Sequence, residues 1–247
     1  DMDIEPPPLP LEPQFGTAIR APWISNDGLR LYLCTIDYIF VTARDSISAP
    51  WGPLNVLPPH INYTGTQNSA CESPSGDTLY FTSDSDQRPE GGYGWYDVYY
   101  SVRSDTGWGP VFNCGDSING PGQEWSVGIS RDGSMLLVSS PGLEGGGAHV
   151  LWYSNKRPDG AWGQLISFGD SVNIDWTLEN PSLSPDNTRL FFCRNYYTSA
   201  EDLYETHLVD GVWQTPTSLP SPVNDPLSYD IGPCVANDGR TLWFRSD

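Results

Sequence analysis

The sequence is poor in lysine, histidine and long apolar runs. Lys156 is its one lysine, against eleven arginines, and net charge is −19 over 247 residues. A surface of that sign repels phosphate backbones and anionic headgroups, so nucleic acid is excluded as a natural partner and an acidic membrane surface is disfavoured. No stretch of 18 apolar residues occurs, so no segment reads as a membrane-spanning helix. There are three histidines, His60, His149 and His207, and no His-Glu-x-x-His pattern. The five cysteines show no Cys-x-x-Cys spacing, so neither a zinc ribbon nor a histidine-based metal centre is expected. A Gly-x-Ser-x-Gly elbow is absent, and "GGYGWY" at Gly91 lacks the strand and helix that a phosphate-binding loop needs. The start, "DMDIEPPPLPLEP", shows neither initiator Met nor signal-peptide pattern and reads as a mature or trimmed chain.

What the sequence has in plenty is repetition. Five turn motifs recur: "SNDG" at Ser25, "SPSG" at Ser73, "SRDG" at Ser130, "SPDN" at Ser184 and "ANDG" at Ala236. Their third residues, Asp27, Ser75, Asp132, Asp186 and Asp238, are 48, 57, 54 and 52 residues apart. The Gly or Asn at the fourth position supplies the positive φ of a tight hairpin. An apolar, β-branched segment follows each turn: "LRLYLCT", "TLYFTS", "MLLVSS", "RLFFCR" and "TLWFRS". A third strand comes next, as in "YDVYYSVR" from Tyr96 and "HVLWYSNKR" from His149. Then comes a Trp (Trp51, Trp108, Trp162, Trp213), and an apolar-Asn pair closes the unit (Ile61-Asn62, Ile118-Asn119, Val172-Asn173, Val223-Asn224). About four short strands in ~50 residues is the size of a propeller blade, which buries its faces only against neighbouring blades. Trp at repeated positions is expected to pack the core.

The stretch from Ser73 to Gly133, "SPSGDTLYFTSDSDQRPEGGYGWYDVYYSVRSDTGWGPVFNCGDSINGPGQEWSVGISRDG", resembles the WD40-like β-propeller repeat of the TolB type, and the resemblance runs over essentially the whole chain. It implies an all-β, single-domain (1–247) propeller of four-stranded antiparallel blades, and the five inner hairpins imply a five-bladed ring. "TLWFRSD" supplies only a second strand to the fifth unit, so "MDI", within the Pro-rich segment 1–15, is expected to add a third and close the ring by pairing N- and C-terminal segments. A Pro-rich leader is the alternative for that segment.

The cysteines fall at equivalent places. Cys34 and Cys193 each lie seven residues after the aligned turn residue, and Cys71 and Cys234 each lie four before it. They read either as buried free thiols or as two equivalent inter-blade disulfides, Cys34–Cys71 and Cys193–Cys234, with Cys114 left over.

In a propeller the segments entering the innermost strands open on one face near the axis, the default place for a ligand. Here they are "TAIRAPWIS", "TQNSACES", "QEWSVGIS", "LENPSLS" and "YDIGPCVA", offering Arg20, Gln67, Asn68, Glu124, Trp125, Glu179 and Asp230 as binding residues. Carboxylates, amides and a Trp suit a sugar. A non-catalytic propeller recognising a glycan or protein partner at this mouth is therefore expected. A glycoside hydrolase or polysaccharide lyase there would draw on Glu124, Glu179 and Asp230. "APWISNDGLRLYLCT" has some similarity to the first inner hairpin of five-bladed glycosidases, but "TAIRAPWIS" lacks the carboxylate that hairpin carries. A third reading is a structural spacer in a cell-envelope assembly. No cofactor or metal is assigned. Calcium at "DSDQRPEGG" from Asp84 has alternating acids but not the terminal Glu of a calcium loop. A monomer, exported to the periplasm, cell surface or medium, is expected from the resemblance, the cysteine placement and the Lys-poor acidic surface.

Overall fold

The computed structural model describes residues 19–246, apart from 36, 85, 87, 144–146, 175–176 and 196–200. The proposed closing strand "MDI" and the Pro-rich segment 1–15 lie outside these residues.

Every repeat unit becomes an antiparallel sheet. The first blade is β1 (Ala21–Ile24), β2 (Arg30–Cys34), β3 (Ile39–Ala43) and β4 (Asn55–Val56), paired in that order. The second is β5 (Gln67–Glu72), β6 (Thr78–Asp84), β7 (Tyr96–Ser104) and β8 (Gly107–Asn113). The third is β9 (Ser126–Ile129), β10 (Met135–Ser140), β11 (Val150–Asn155) and β12 (Ile166–Ser167). The fourth is β13 (Thr177–Leu183), β14 (Arg189–Asn195) and β15 (Asp202–Val209), with β16 (Val212–Trp213) and β17 (Thr217–Ser218) both paired to β15. After it come β18 (Ile231–Val235) and β19 (Leu242–Arg245), which among the described residues pair only with each other. The innermost strands meet in sequence, β1 on β5, β5 on β9, β9 on β13, β13 on β18, and β18 back on β1.

This corrects the five-bladed expectation. Among the described residues the protein is a four-bladed propeller, with a two-stranded hairpin between blades four and one. Five turn motifs mark five inner hairpins, but a turn motif does not guarantee outer strands.

The repeated sequence signals have physical causes. In the first turn the Ser25 hydroxyl donates to Asp27 Oδ1 (2.5 Å) and accepts from the Arg30 amide (2.9 Å), while Asp27 Oδ1 also accepts from the Leu29 amide (3.0 Å). The same bonds recur around Ser130 and Asp132, and around Ser184 and Asp186. The fourth position has φ of 69° at Gly28, 74° at Gly133 and 58° at Asn187, which favours Gly or Asn. Each closing Asn imitates a strand. Asn119 Oδ1 accepts from the Val98 amide (2.8 Å), and its Nδ2 donates to the Val98 carbonyl (3.0 Å) and to Asn113 Oδ1 (2.8 Å). Asn62, Asn173 and Asn224 do the same to Ile39, Leu151 and Leu203. The apolar partner of the pair, Ile61, Ile118, Val172 or Val223, is buried.

Blades are locked at their seams. Glu72, fully buried, accepts from Arg30 through both carboxylate oxygens (3.0–3.1 Å), from the Tyr32 hydroxyl (2.8 Å) and from Arg103 (3.0 Å), joining blades one and two. Gly232 and Gly128 leave no room for a side chain: a Cβ would stand 2.5 Å from the Arg20 carbonyl oxygen and 2.4 Å from that of Pro181, respectively. All five cysteines are free thiols in this structure, the first of the two alternatives, and the Cys34–Cys71 and Cys193–Cys234 bridges are not formed. In the second candidate pair each sulfur has its own polar neighbours: Cys193 Sγ donates to Glu179 O and Asn180 Oδ1, and Cys234 Sγ accepts from Ile24 N and Arg131. Burial pushes the Cys34, Cys71, Cys193 and Cys234 thiols up, so they are unreactive at neutral pH.

Two outcomes follow. Asn119→Ala strands the buried amide of Val98, whose carbonyl keeps its bond from the Cys114 amide, and should cost about 1–3 kcal/mol in urea unfolding; an unchanged midpoint would show that the mimicked strand is dispensable. Acid should weaken the turns. Burial alone would raise the Asp132 carboxyl, but hydrogen bonds from Ser130, Ser134 and Asn187 outweigh it and lower the group to about 2. Its folded value is below its unfolded value of about 4, so its stabilisation is present above pH ~4 and is lost as pH falls towards ~2. Asp132→Asn should flatten the melting-temperature profile over that window relative to the parent, as scanning calorimetry would detect.

Candidate functional site

Antiparallel order puts the starts of the inner strands, the ends of the second strands and the starts of the third strands on one face of the ring. All seven predicted residues occupy that face by position. Arg20 precedes β1, Gln67 and Asn68 open β5, Glu124 and Trp125 precede β9, Glu179 is near the start of β13, and Asp230 precedes β18.

The structure brings some of them together. Trp125 Nε1 donates to Glu179 Oε2 (3.0 Å), across the seam between blades three and four. The Trp125 ring meets Tyr96 of blade two edge-on, centroids 5.3 Å apart, and is tilted by 30° against His149 at 6.0 Å. Burial lowers the His149 pKa, which keeps that ring neutral at physiological pH. Trp125 is half-buried, so an indole face is held in place from three blades.

Beside it lies a carboxyl with no cation. Glu124 is fully buried; its Oε1 accepts from the Ser140 hydroxyl (2.9 Å), and its Oε2 has no hydrogen-bond partner among the described residues. Burial, reinforced by the Asp97 carboxylate, raises it to about 8. Asp97 is itself raised by burial, although the amides of Tyr93 and Gly94 and the Asn113 side chain donate to it. Gln67 Nε2 donates to the Tyr63 carbonyl (3.1 Å) and Ser83 Oγ (3.3 Å), leaving its Oε1 without a partner. Neither side-chain atom of buried Asn68 has one. Asp230 Oδ2 accepts from the Asp225 amide (2.9 Å), and its Oδ1 is unpartnered. Buried polar groups left unpaired cost stability, and they concentrate where a ligand or ordered water completes them.

Other predicted residues stay apart. Among the described residues no hydrogen bond or ion pair joins the Arg20 side chain or Asp230 to the Trp125 group, and Glu124, Glu179 and Asp230 are not hydrogen-bonded to one another. Among the described residues the inner strands pack tightly below the face: a cavity lined there by Pro22, Pro181, Gly232 and Pro233 has about 10 Å³. That is about one water's worth of space. In "DSDQRPEGG" a cation is already built in, the buried Arg88 guanidinium, which donates to Ser83 Oγ and to the His60 and Ile61 carbonyls. Among the described residues no group of three His, Cys, Asp or Glu side chains is placed to hold a metal.

Tyr96, Asp97, Ser140 and His149 were not singled out from the sequence as site residues. Their signal is positional: each sits at the mouth end of a second or third strand, the complement of the entering segments.

No family model matches the chain, and no curated protein matches it. Solved structures share its fold. TolB from Acinetobacter baumannii superimposes with a TM-score of 0.55 at 16% identity, covering 93% of this chain and 54% of that one. An Agrobacterium tumefaciens protein assigned as TolB gives 0.51 at 14% identity, covering 94% and 91%. XC5397 of Xanthomonas campestris, described as a gluconolactonase, gives 0.55 at 14% identity, covering 92% and 69%. The chain thus spans about half the length of the Acinetobacter TolB. These likenesses show a β-propeller fold of the kind found in TolB and in a gluconolactonase. No helix among the described residues is long and apolar enough to cross a membrane.

The raised Glu124 carboxyl has a signed consequence. Its folded value of about 8 exceeds the unfolded value of about 4.3. Folded protein therefore stays protonated where unfolded chain ionises, and stability falls as pH rises from ~4 to ~8. Glu124→Gln should gain stability over the parent at pH 8 and lose that advantage near pH 4. Parallel urea titrations of the two proteins with equal pH dependence would refute the assignment.

Proposed function

We propose that this chain is a non-catalytic binding module that recognises a glycan at the face where the inner strands begin. The observation that carries the reading is the Trp125 indole, fixed by Glu179 and Tyr96 on the face that also carries Gln67, Asn68, Glu124 and Asp230. A sugar presents C–H faces to an aromatic ring and hydroxyls that both donate and accept. A half-buried indole on a rim of amides and carboxyls matches both halves of that chemistry. The acidic surface favours an uncharged saccharide over a polyanionic one. The tight packing of the inner strands supports capture on a face over passage through a channel. We read the chain as a single propeller domain, a monomer built from WD40-like repeats of the TolB type and exported from the cytoplasm.

One observation supports a second reading, a glycoside hydrolase or polysaccharide lyase. Glu124 keeps its proton near neutral pH, as a general acid must. Against it, the carboxyl is wholly buried and has no second carboxylate bonded to it.

A glycan array with a turnover assay on every hit tests both. The expected result is saturable binding without product. Trp125→Ala should weaken it at least about tenfold, the scale of losing a stacked ring, with little change in melting temperature. Turnover that disappears in Glu124→Gln would replace the binding reading with the enzymatic one. Silence on every glycan would overturn both.

A further inference from the structure

Four seams of the ring are closed on the opposite face by contacts reaching from one turn to the preceding blade. A Cβ built on Gly76 would lie 3.1 Å from Arg30, one on Gly133 3.3 Å from Pro74, and one on Gly239 3.4 Å from Pro185. Across the remaining one of these four, Asn187 Nδ2 donates to Asp132 Oδ2 (2.9 Å). The fifth seam, between the β18–β19 hairpin and blade one, differs. Around Gly28 the neighbours within 4 Å are Ile47 and Arg44 of its own blade, and among the described residues nothing from the hairpin reaches it. In place of a contact at this turn there is a cleft of about 390 Å³, beside the Trp51–Trp243 contact that crosses the seam; the volume falls within the usual size range of small-molecule sites.

We infer that this cleft is a second ligand site, independent of the mouth, that takes a small carboxylate carried on a six-membered ring. The chemistry of its walls carries the assignment. Ile24, Ile47 and Trp243 supply apolar surface. Arg44 supplies charge: its Nε donates to the Gly28 carbonyl (2.9 Å) and its guanidinium stacks over Trp51 at 4.4 Å. Its terminal nitrogens have no hydrogen-bond or ion-pair partner among the described residues. Trp51 also meets Trp243 edge-on at 6.2 Å, so one indole fixes both the cationic fork and the aromatic wall. The two acids lining the cleft are already engaged. Asp27 accepts from Ser25, the Leu29 amide and Arg30; Asp238 accepts from the Arg240 and Thr241 amides and the Thr241 hydroxyl. The terminal nitrogens of this guanidinium, in a concave aromatic setting, offer a local anion contact within a chain of charge −19. Its planar fork matches a carboxylate.

The test is calorimetric titration of the whole protein with glucuronate and benzoate, each against its uncharged counterpart, glucose and benzamide. At least one acid should bind saturably and about tenfold or more tightly than its counterpart. Tighter glucuronate assigns a sugar acid, tighter benzoate an aromatic one. Arg44→Gln should weaken the acid about tenfold. Asn237→Asp places a new carboxylate in the cleft at an exposed residue that makes no hydrogen bond among the described residues. It should have the same effect without touching the fold, and it keeps the test decisive if Arg44→Gln unfolds. Trp125→Ala should leave this binding unchanged, which separates it from the mouth. Equal binding of acid and neutral partner, indifference to both cleft variants, or no saturable binding by either acid overturns the inference.

Discussion

One buried guanidinium holds the ring together. Arg131 belongs to the turn of blade three, yet its side chain crosses to the other side of the axis. Its Nε and Nη2 donate to the Val235 carbonyl of the β18–β19 hairpin, its Nη1 to the Ile24 carbonyl of blade one (2.7 Å), and its Nη2 to Cys234 Sγ (3.2 Å). The guanidinium also stacks on Trp23 at 4.7 Å, and Asn26 returns a bond to the Arg131 carbonyl (3.0 Å). No carboxylate neutralises it within this set; main-chain carbonyls, a thiol and an indole face share the charge. A buried charge is tolerated only when its donors are spent. Placing Arg131 therefore requires blade one, blade three and the hairpin to be in position together.

Around that hub the other devices are local and repeated. The serine–aspartate turn fixes where each inner strand ends, and the closing Asn fixes where each third strand starts. Between them they set the register of a blade from both ends without a disulfide. Glycines at Gly128 and Gly232 then let the inner strands approach until the axis is filled by backbone and proline. The result is a solid disc with two differently built faces, one carrying the entering segments and one carrying the turns.

Much of this was legible in the sequence because repetition multiplies weak signals. A single Ser-x-Asp-Gly is a turn; several at near-equal spacing, each followed by an apolar segment, are blades. Of the repeated Trp residues, Trp162 is buried against Tyr80 and Lys156, while Trp51, Trp108 and Trp213 pack half-buried against the core. The blade count went wrong because the turn motif reports an inner hairpin and nothing further out: β18 and β19 satisfy it with two strands. The site was half legible. Topology named the entering residues, since position along a strand fixes the face. It could not show that Trp125 meets Glu179, 54 residues away, nor that Glu124 turns inward to Ser140 while its neighbour stays at the surface. Adjacent residues on extended chain point opposite ways, and which one faces solvent depends on the neighbouring blade.

The open seam bears on mechanics. Four junctions of the disc transmit load through direct turn-to-blade contact, while at the fifth, on that face, the hairpin and blade one are separated by a cleft. Tension across the disc therefore falls there on the inner strands β1 and β18, the Arg131 guanidinium beneath them and the Trp51–Trp243 contact. The protein resembles a split washer, stiff in every direction except the one that spreads its gap.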